Sequence, residues 1–423
     1  MEPVYLRLSC AVQNYVWGKV GCGSEVALLK RGGDHVGSNQ FTVDEKEHYA
    51  ELWMGTHKKG PARIACPQSS HGQLLSEWLQ TNQWALGREV FAEFGSQLPF
   101  LLKVLSINKA LSIQAHPTKS HAEQLHASFP DKYPDPNHKP EMAIAVSEFI
   151  GFCGFRSFNE IRRFVATIPE LQRVVGRESC EAMTSLPESG DTKAALRSVF
   201  IGLMGSDVNT IQKELGLLIS RLDDPDSNQD IPAQERDLLR RLSSQFPGDI
   251  GCFCVFFLNF LQLQPGEAIY LAPNEPHAYL YGDIVECMAC SDNVVRAGLT
   301  IKFRDKDTLC QMLTYEMRSP DESKFQPQQH PTLPHTLLYD PPTPEFAVLR
   351  ITIPSSTTEL ELPPISGPSI LIVVSGCMEV SCSNGCREKL NKGVCVFLPT
   401  DTAIKLHPMI SEDMLVFQAY CSR

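Results

Sequence analysis

A chain of 423 residues with 43% apolar and 21% charged side chains is long enough for two or three packed units and apolar enough to fill their cores, which excludes a disordered or fibrous protein. Lysine and arginine number 38 against 49 acids, a formal charge of −11. That sign argues against broad binding of nucleic acid or of an anionic membrane, both of which need dense basic surfaces; an anionic metabolite would need a local basic pocket.

Residues 1–10 lack the charged leader and apolar stretch of a secretory signal. The most apolar run, 251–263, contains Asn259 and falls short of the ~20 residues that cross a bilayer. A soluble cytoplasmic protein is expected. Its 15 cysteines, an odd number in a large chain, are expected to be mostly reduced thiols.

From residue 4 to about 154, short strand-like runs alternate with turn residues, with one or two helices expected, such as 73–86. Between about 156 and 245 the apolar positions take a helical period, as in Ile161, Phe164, Val165 and Ile168, and again in Ile211, Leu215, Leu218 and Leu222. An all-helical insertion is predicted, with Pro225 and Pro232 bracketing a polar loop over 223–230. After Pro247-Gly248-Asp249 the strand signal returns over 252–263 and 268–271. Seven prolines between 320 and 344 predict an extended crossover. From about Phe346, apolar runs at 369–374, 394–398 and 414–419 predict an antiparallel barrel or sandwich. The expected organisation is a mainly β fold with a first β portion (1–155), the helical insertion (156–250), a second β portion (251–320), and a crossover with a C-terminal β domain (321–423).

A faint repeat relates 266–271, before Ala272-Pro273, to 393–398, before Pro399. Counting on, His277 falls opposite Ala403 or Ile404, so only the first copy of the β unit retains a metal-binding side chain there.

Several clusters could carry chemistry. As a strand, 111–117 puts Ser112, Gln114 and His116 on one face. In the next cluster Lys139, Glu141, Ala143 and Ala145 share a face, with His138 directed away from Glu141. A Pro-Gly turn, a strand and a proline turn then bring His277 to the start of a returning strand, with Tyr279 on the same face. Two imidazoles, one carboxylate and one amide form an N/O set suited to Zn²⁺ or a similar divalent ion, in the open arrangement of a catalytic site. Glu286, Asp292, Arg296 and Lys302 follow within seventeen positions; the two cations, set among small and apolar residues, suit a cleft that binds phosphate. Cys287-x-x-Cys290 has metal-pair spacing but no second pair to complete it.

The blocks Ser-Ile-Gln-Ala-His-Pro, His-Lys-Pro-Glu-Met, Pro-His-Ala-Tyr and Glu-Cys-Met-Ala-Cys-Ser-Asp-Asn with Val-Arg-Ala-Gly-Leu-Thr, together with Tyr15-Val16-Trp17-Gly18 and 49–57, resemble the signatures of type I mannose-6-phosphate isomerases from end to end. The resemblance implies a cupin-like jelly-roll catalytic domain, a helical insertion and a C-terminal jelly roll. It also implies a zinc enzyme, one ion per chain, interconverting mannose 6-phosphate and fructose 6-phosphate and so supplying mannose for GDP-mannose synthesis and glycosylation. The family's zinc residues fall on Gln114, His116, Glu141 and His277, and its catalytic arginine on Arg296. Such chemistry needs a base between C1 and C2, for which Glu286 and Lys139 stand as alternatives. Arg296 would steady the enediolate or hold the phosphate, partnered by Lys302, while Trp17 and Tyr279 wall the sugar, and Ser112 and Asp292 join them in binding it. A monomer with a sugar-phosphate partner, and no nucleic acid or membrane, is expected. Two rivals use similar residues: a cupin metal oxygenase, disfavoured by Gln114 in place of a third histidine, and a non-catalytic metal- or sugar-binding cupin, disfavoured by the retention of Lys139, Glu286 and Arg296.

Overall fold

The computed structural model describes residues 5–34, 41–187, 189–224, 230–381, 387–409 and 412–421. Strand Phe100–Ile107 is buried at every position, as its nearly unbroken apolar run requires of a strand covered on both faces. It lies inside an 11-stranded sheet between Glu51–Met54 and the long strand His277–Ala289. His277–Ala289 is the spine of the catalytic portion. Its later residues pair with Phe100–Ile107 on one side and Glu141–Ala145 on the other, and its first residues pair with Phe149–Phe155 and Ile113–Ala115. The alternation read in 139–145 is present: Ala143 and Ala145 join Leu105, Tyr279 and Ile284 in one cluster, while Met142 and Ile144 join Leu102 and Val104 in another.

The helical insertion runs from Phe158–Thr167 to Ala233–Gln245. Ser157, Asp191 and Asp207 each accept a backbone N–H at a helix start, which offsets part of the unpaired first turn. Its apolar faces share one core with the barrel through Phe155, which stacks on Tyr315 at 5.5 Å and meets Phe200 edge-on at 5.2 Å. Of the polar loop 223–230, residues 225–229 lie outside those described.

Two expected elements differ. The start of the 252–263 strand is instead a 3-10 helix, Ile250–Phe256, and the strand is Leu258–Leu263. Every residue of that helix is buried, so the run is apolar on all sides and carries no period to separate strand from helix. The helix near 73–86 stops at Thr81, where the Asn82 side chain bonds back to the Trp78 carbonyl, and a 3-10 turn over Gln83–Leu86 follows.

The C-terminal sheet has eight strands and recruits the start of the chain. Leu6–Ser9, grouped by sequence with the first β portion, pairs with Cys395–Leu398, setting Leu6 opposite Phe397. A short alternating strand carries no mark of its partner, and chain neighbours are sheet neighbours only about two-thirds of the time. The proline-rich crossover is pinned at both ends: Lys324–Phe325 pairs into the catalytic sheet and Thr336–Tyr339 into the C-terminal one.

The internal repeat has a structural counterpart. Ala268–Leu271 leads through a turn to His277, and Cys395–Leu398 leads through a turn of the same length to Ile404. Gly266 and Gly393 both have left-handed backbones (φ 92° and 87°), and so do Asn274 and Asp401 (φ 65° and 56°). Ile404 thus stands where His277 stands in the first copy. Among the described residues no helix is long and apolar enough to cross a membrane.

Because Phe155 joins barrel and insertion in one core, Phe155→Ala should destabilise the protein by ~3–5 kcal/mol in denaturant unfolding. A loss below about 1 kcal/mol would mean that the two parts pack independently.

Candidate metal centre and its cavity

Three strands bring the candidate ligands together. Ile113–Ala115 lies between Val295–Gly298 and the start of His277–Ala289, so Gln114 is flanked in register by Arg296 and His277. Glu141 opens the next strand, opposite Met288. His116, Glu141 and His277 are all essentially buried, and their ligand atoms lie within 4.8 Å of one another.

The protonation pattern suits a cation. His116 Nδ1 is 2.7 Å from the Asn293 carbonyl and His277 Nδ1 is 3.0 Å from the Glu275 carbonyl, so each ring donates through Nδ1 and turns an Nε2 lone pair inward. Each Nε2 lies 3.5 Å from Glu141 Oε2, and all three atoms are buried without a hydrogen-bond partner. Orphaned polar atoms are costly to bury. An ion about 2.0–2.2 Å from each atom of a tetrahedral set separates them by ~3.3–3.6 Å, so the spacing here fits one small divalent cation. Burial lowers the His116 pKa to about 4 despite the opposing pull of Glu141. Glu141 goes well below the usual carboxylate range: burial opposes ionisation, but Lys139, 2.8 Å from Oε1, and then His116 outweigh it. A neutral imidazole and a carboxylate are the forms that bind metal.

The set opens on a cavity of about 600 Å³, a volume suited to a small metabolite. Trp17, Ser112, Gln114, Lys139, Glu141, Tyr279, Glu286, Asp292, Arg296 and Lys302 all line it. Trp17 stacks on Tyr15 at its mouth. The Tyr279 hydroxyl donates to Glu286 Oε1 at 2.9 Å, so its polar end serves that carboxylate. Asp292 pairs with Lys59 at 3.0 Å and lies 3.6 Å from His57. The charged neighbour of Lys139 is an anion, Glu141. Arg296 and Lys302 have no ion-pair partner among the described residues; burial lowers both pKa values, and Arg296 lowers that of Lys302 further.

Sequence reasoning passed over Lys103 and Glu51. Lys103 is buried 2.8 Å from Glu286 and 3.6 Å from Glu51; burial disfavours its charge, but those carboxylates outweigh it and raise its pKa. In turn, burial raises the Glu286 carboxyl although Lys103 draws it down. The available signal was a lone lysine in the apolar run of 100–107 and a lone glutamate in 50–54, since such residues are buried only when paired. His138 bonds to Glu345, outside the metal set. Cys287 faces a core, and burial raises both its thiol and that of Cys290, away from the thiolate a metal needs.

A barrel with a helical insertion, a second β domain and an open His–Glu–His set defines a cupin-like protein with a candidate metal centre. Residues 5–158, 172–258 and 336–384 match families described as phosphomannose isomerase type I catalytic domain, helical insertion domain and C-terminal. The chain is 45% identical to the mannose-6-phosphate isomerase of Mus musculus and 43% identical to that of Homo sapiens, covering 99% of each chain in both cases. A variant of phosphomannose isomerase from Salmonella typhimurium superposes over 100% of both chains with a TM-score of 0.82 at 28% identity. A mannose 6-phosphate isomerase bound with zinc and yttrium gives 0.81 at 28% identity, again over 100% of both chains. The chain belongs to the type I phosphomannose isomerase family.

The direction of acid sensitivity follows from His116. An unfolded imidazole takes up a proton near 6.5 and the folded one only near 4, so the unfolded state binds more protons between those values. Metal-free protein should therefore lose stability as pH falls through that window, and Glu141, held low in the fold, adds to the loss at its acid end. Thermal unfolding of chelator-treated protein at several pH values checks this; a melting temperature that rises on acidification would contradict it.

Proposed function

We propose that this chain is a zinc-dependent aldose–ketose isomerase interconverting mannose 6-phosphate and fructose 6-phosphate, with one ion per chain held by Gln114, His116, Glu141 and His277. The observation that carries the reading is the convergence of three orphaned, buried ligand atoms at a cavity lined by two cations without carboxylate partners. Membership of the family, whose relatives bear that name over their full length, supports it.

Zinc would supply Lewis acidity, holding negative charge that develops on a substrate oxygen. The chain's own groups do the rest. Lys302, on the loop at the mouth, binds the phosphate. Arg296, beside Gln114 in register, faces the reacting end and steadies the enediolate oxygens. Glu286 moves the proton between C2 and C1: burial raises its carboxyl pKa although Lys103 draws it down, and Lys103 and Tyr279 hold its two oxygens in place. Lys139 is committed to Glu141, which it keeps ionised. Trp17 and Tyr279 wall the sugar and exclude water. A monomer is the active unit in this reading. The described cysteines are free thiols, which supports a reducing compartment such as the cytoplasm. There the mannose 6-phosphate formed would feed GDP-mannose synthesis and glycosylation.

A coupled assay for fructose 6-phosphate from mannose 6-phosphate, with and without chelator, tests the whole reading. His277→Ala should abolish conversion and lower bound metal while the fold persists; unchanged turnover would reject the assignment. Arg296→Ala should cut kcat by ~10²-fold or more at near-normal metal content. Lys302→Ala should instead raise KM about tenfold with kcat little changed.

A further inference from the structure

The helical insertion ends at the cavity. Its last helix closes at Gln245, and Gln245, Phe246, Pro247 and Asp249 all line the cavity wall. Gly248 turns the chain with a left-handed backbone (φ 72°), and Asp249 caps the following 3-10 helix by accepting the Gly251 N–H at 2.7 Å. The same Oδ1 accepts the Leu299 N–H at 2.7 Å, and Oδ2 accepts that of Thr300 at 3.4 Å. One carboxylate thus joins the end of the insertion to the root of the loop carrying Lys302, some fifty residues further on.

That root needs holding. Leu299 has a left-handed backbone (φ 53°), a conformation costing a branched L-residue ~1 kcal/mol or more. Gly298 lies so close to Gly251 that a Cβ on it would come within 2.7 Å of the Gly251 backbone. Beyond the root the loop projects into solvent: Leu299 is buried, whereas Ile301 is fully exposed two residues later. Within that tip the Thr300 hydroxyl accepts the Lys302 N–H at 3.0 Å, so Lys302 follows wherever Thr300 is held.

We propose that Asp249 is a positioning residue for sugar-phosphate binding: from the insertion it fixes the strained root of the 298–303 loop and so sets where Lys302 meets the phosphate. The inference rests on the phosphate role of Lys302 argued above. It gives the insertion a task at the site, since without this carboxylate the backbone N–H groups of Leu299 and Thr300 lose their acceptor and the loop can swing from the cavity.

The test uses the full-length, metal-loaded protein with mannose 6-phosphate as substrate. Asp249→Ala removes every contact. Asp249→Ser retains a good helix cap for Gly251 but is too short to reach Leu299 as well, and it carries the test if the alanine variant does not fold. Asp249→Asn keeps the oxygen that makes both 2.7 Å bonds. Asp249→Ser should raise KM about tenfold with kcat within about twofold, the signature of lost uniform binding. Bound metal should stay at the native level, and Asp249→Asn should restore KM. Native KM in Asp249→Ser, or a fall in kcat without a rise in KM, would overturn the inference and leave Asp249 as a helix cap. Native KM in Lys302→Ala would instead remove the phosphate reading on which it rests.

Discussion

Three polar atoms that face one another in the interior with nothing to bond to impose the constraint on which the rest of this structure depends. His116 Nε2, His277 Nε2 and Glu141 Oε2 are aimed at one point by the hydrogen bonds on their far sides: backbone carbonyls fix the two rings, and Lys139 takes the other carboxylate oxygen. A protein pays a stability penalty for such an arrangement unless a cation repays it when bound. The framework is correspondingly rigid, because a shift of one residue in any of the three strands would turn a ligand to the opposite face.

Around that point the charges are arranged in layers. Deepest lie carboxylates neutralised by lysines: Glu141 with Lys139, and Glu286 with Lys103 and Glu51 nearby. Further out lie Arg296, half-buried, and Lys302, on the exposed loop, neither with an ion-pair partner among the described residues. An incoming phosphate would supply one. A chain of formal charge −11 can therefore still attract an anion to this one place, because the local field of a cleft with low-dielectric walls outweighs a net charge spread over the surface.

What the sequence revealed follows from which signals are local. The ligand strands were legible because period-two alternation and turn chemistry fix which face a side chain takes, and the order of the parts was legible in the switch from strand-like runs to helical period and back, with which the resemblance agrees. The stretch 252–256 was misread as strand because burial on every side erases periodicity. The pairing of Leu6–Ser9 with Cys395–Leu398 was invisible because register partners hundreds of residues apart leave no trace in either segment. Lys103 and Glu51 were missed for another reason. Each is a single charge in an apolar strand, and it acquires meaning only when Glu286, far along the chain, is brought opposite by the sheet.

The duplicated β unit separates what the barrel requires from what the chemistry requires. Both copies keep the left-handed glycine before the strand and the left-handed residue in the turn after it, so the backbone device is common to the two. At the next step one copy has His277 and the other Ile404, which is buried in a continuous apolar cluster with Leu362, Val380 and Leu406. In the second copy the same backbone device is therefore filled with apolar side chains alone. At the matching position His277 buries a polar ring at a desolvation cost that an isoleucine would not incur, and leaves Nε2 without a hydrogen-bond partner among the described residues beside those of His116 and Glu141, as a metal ligand would.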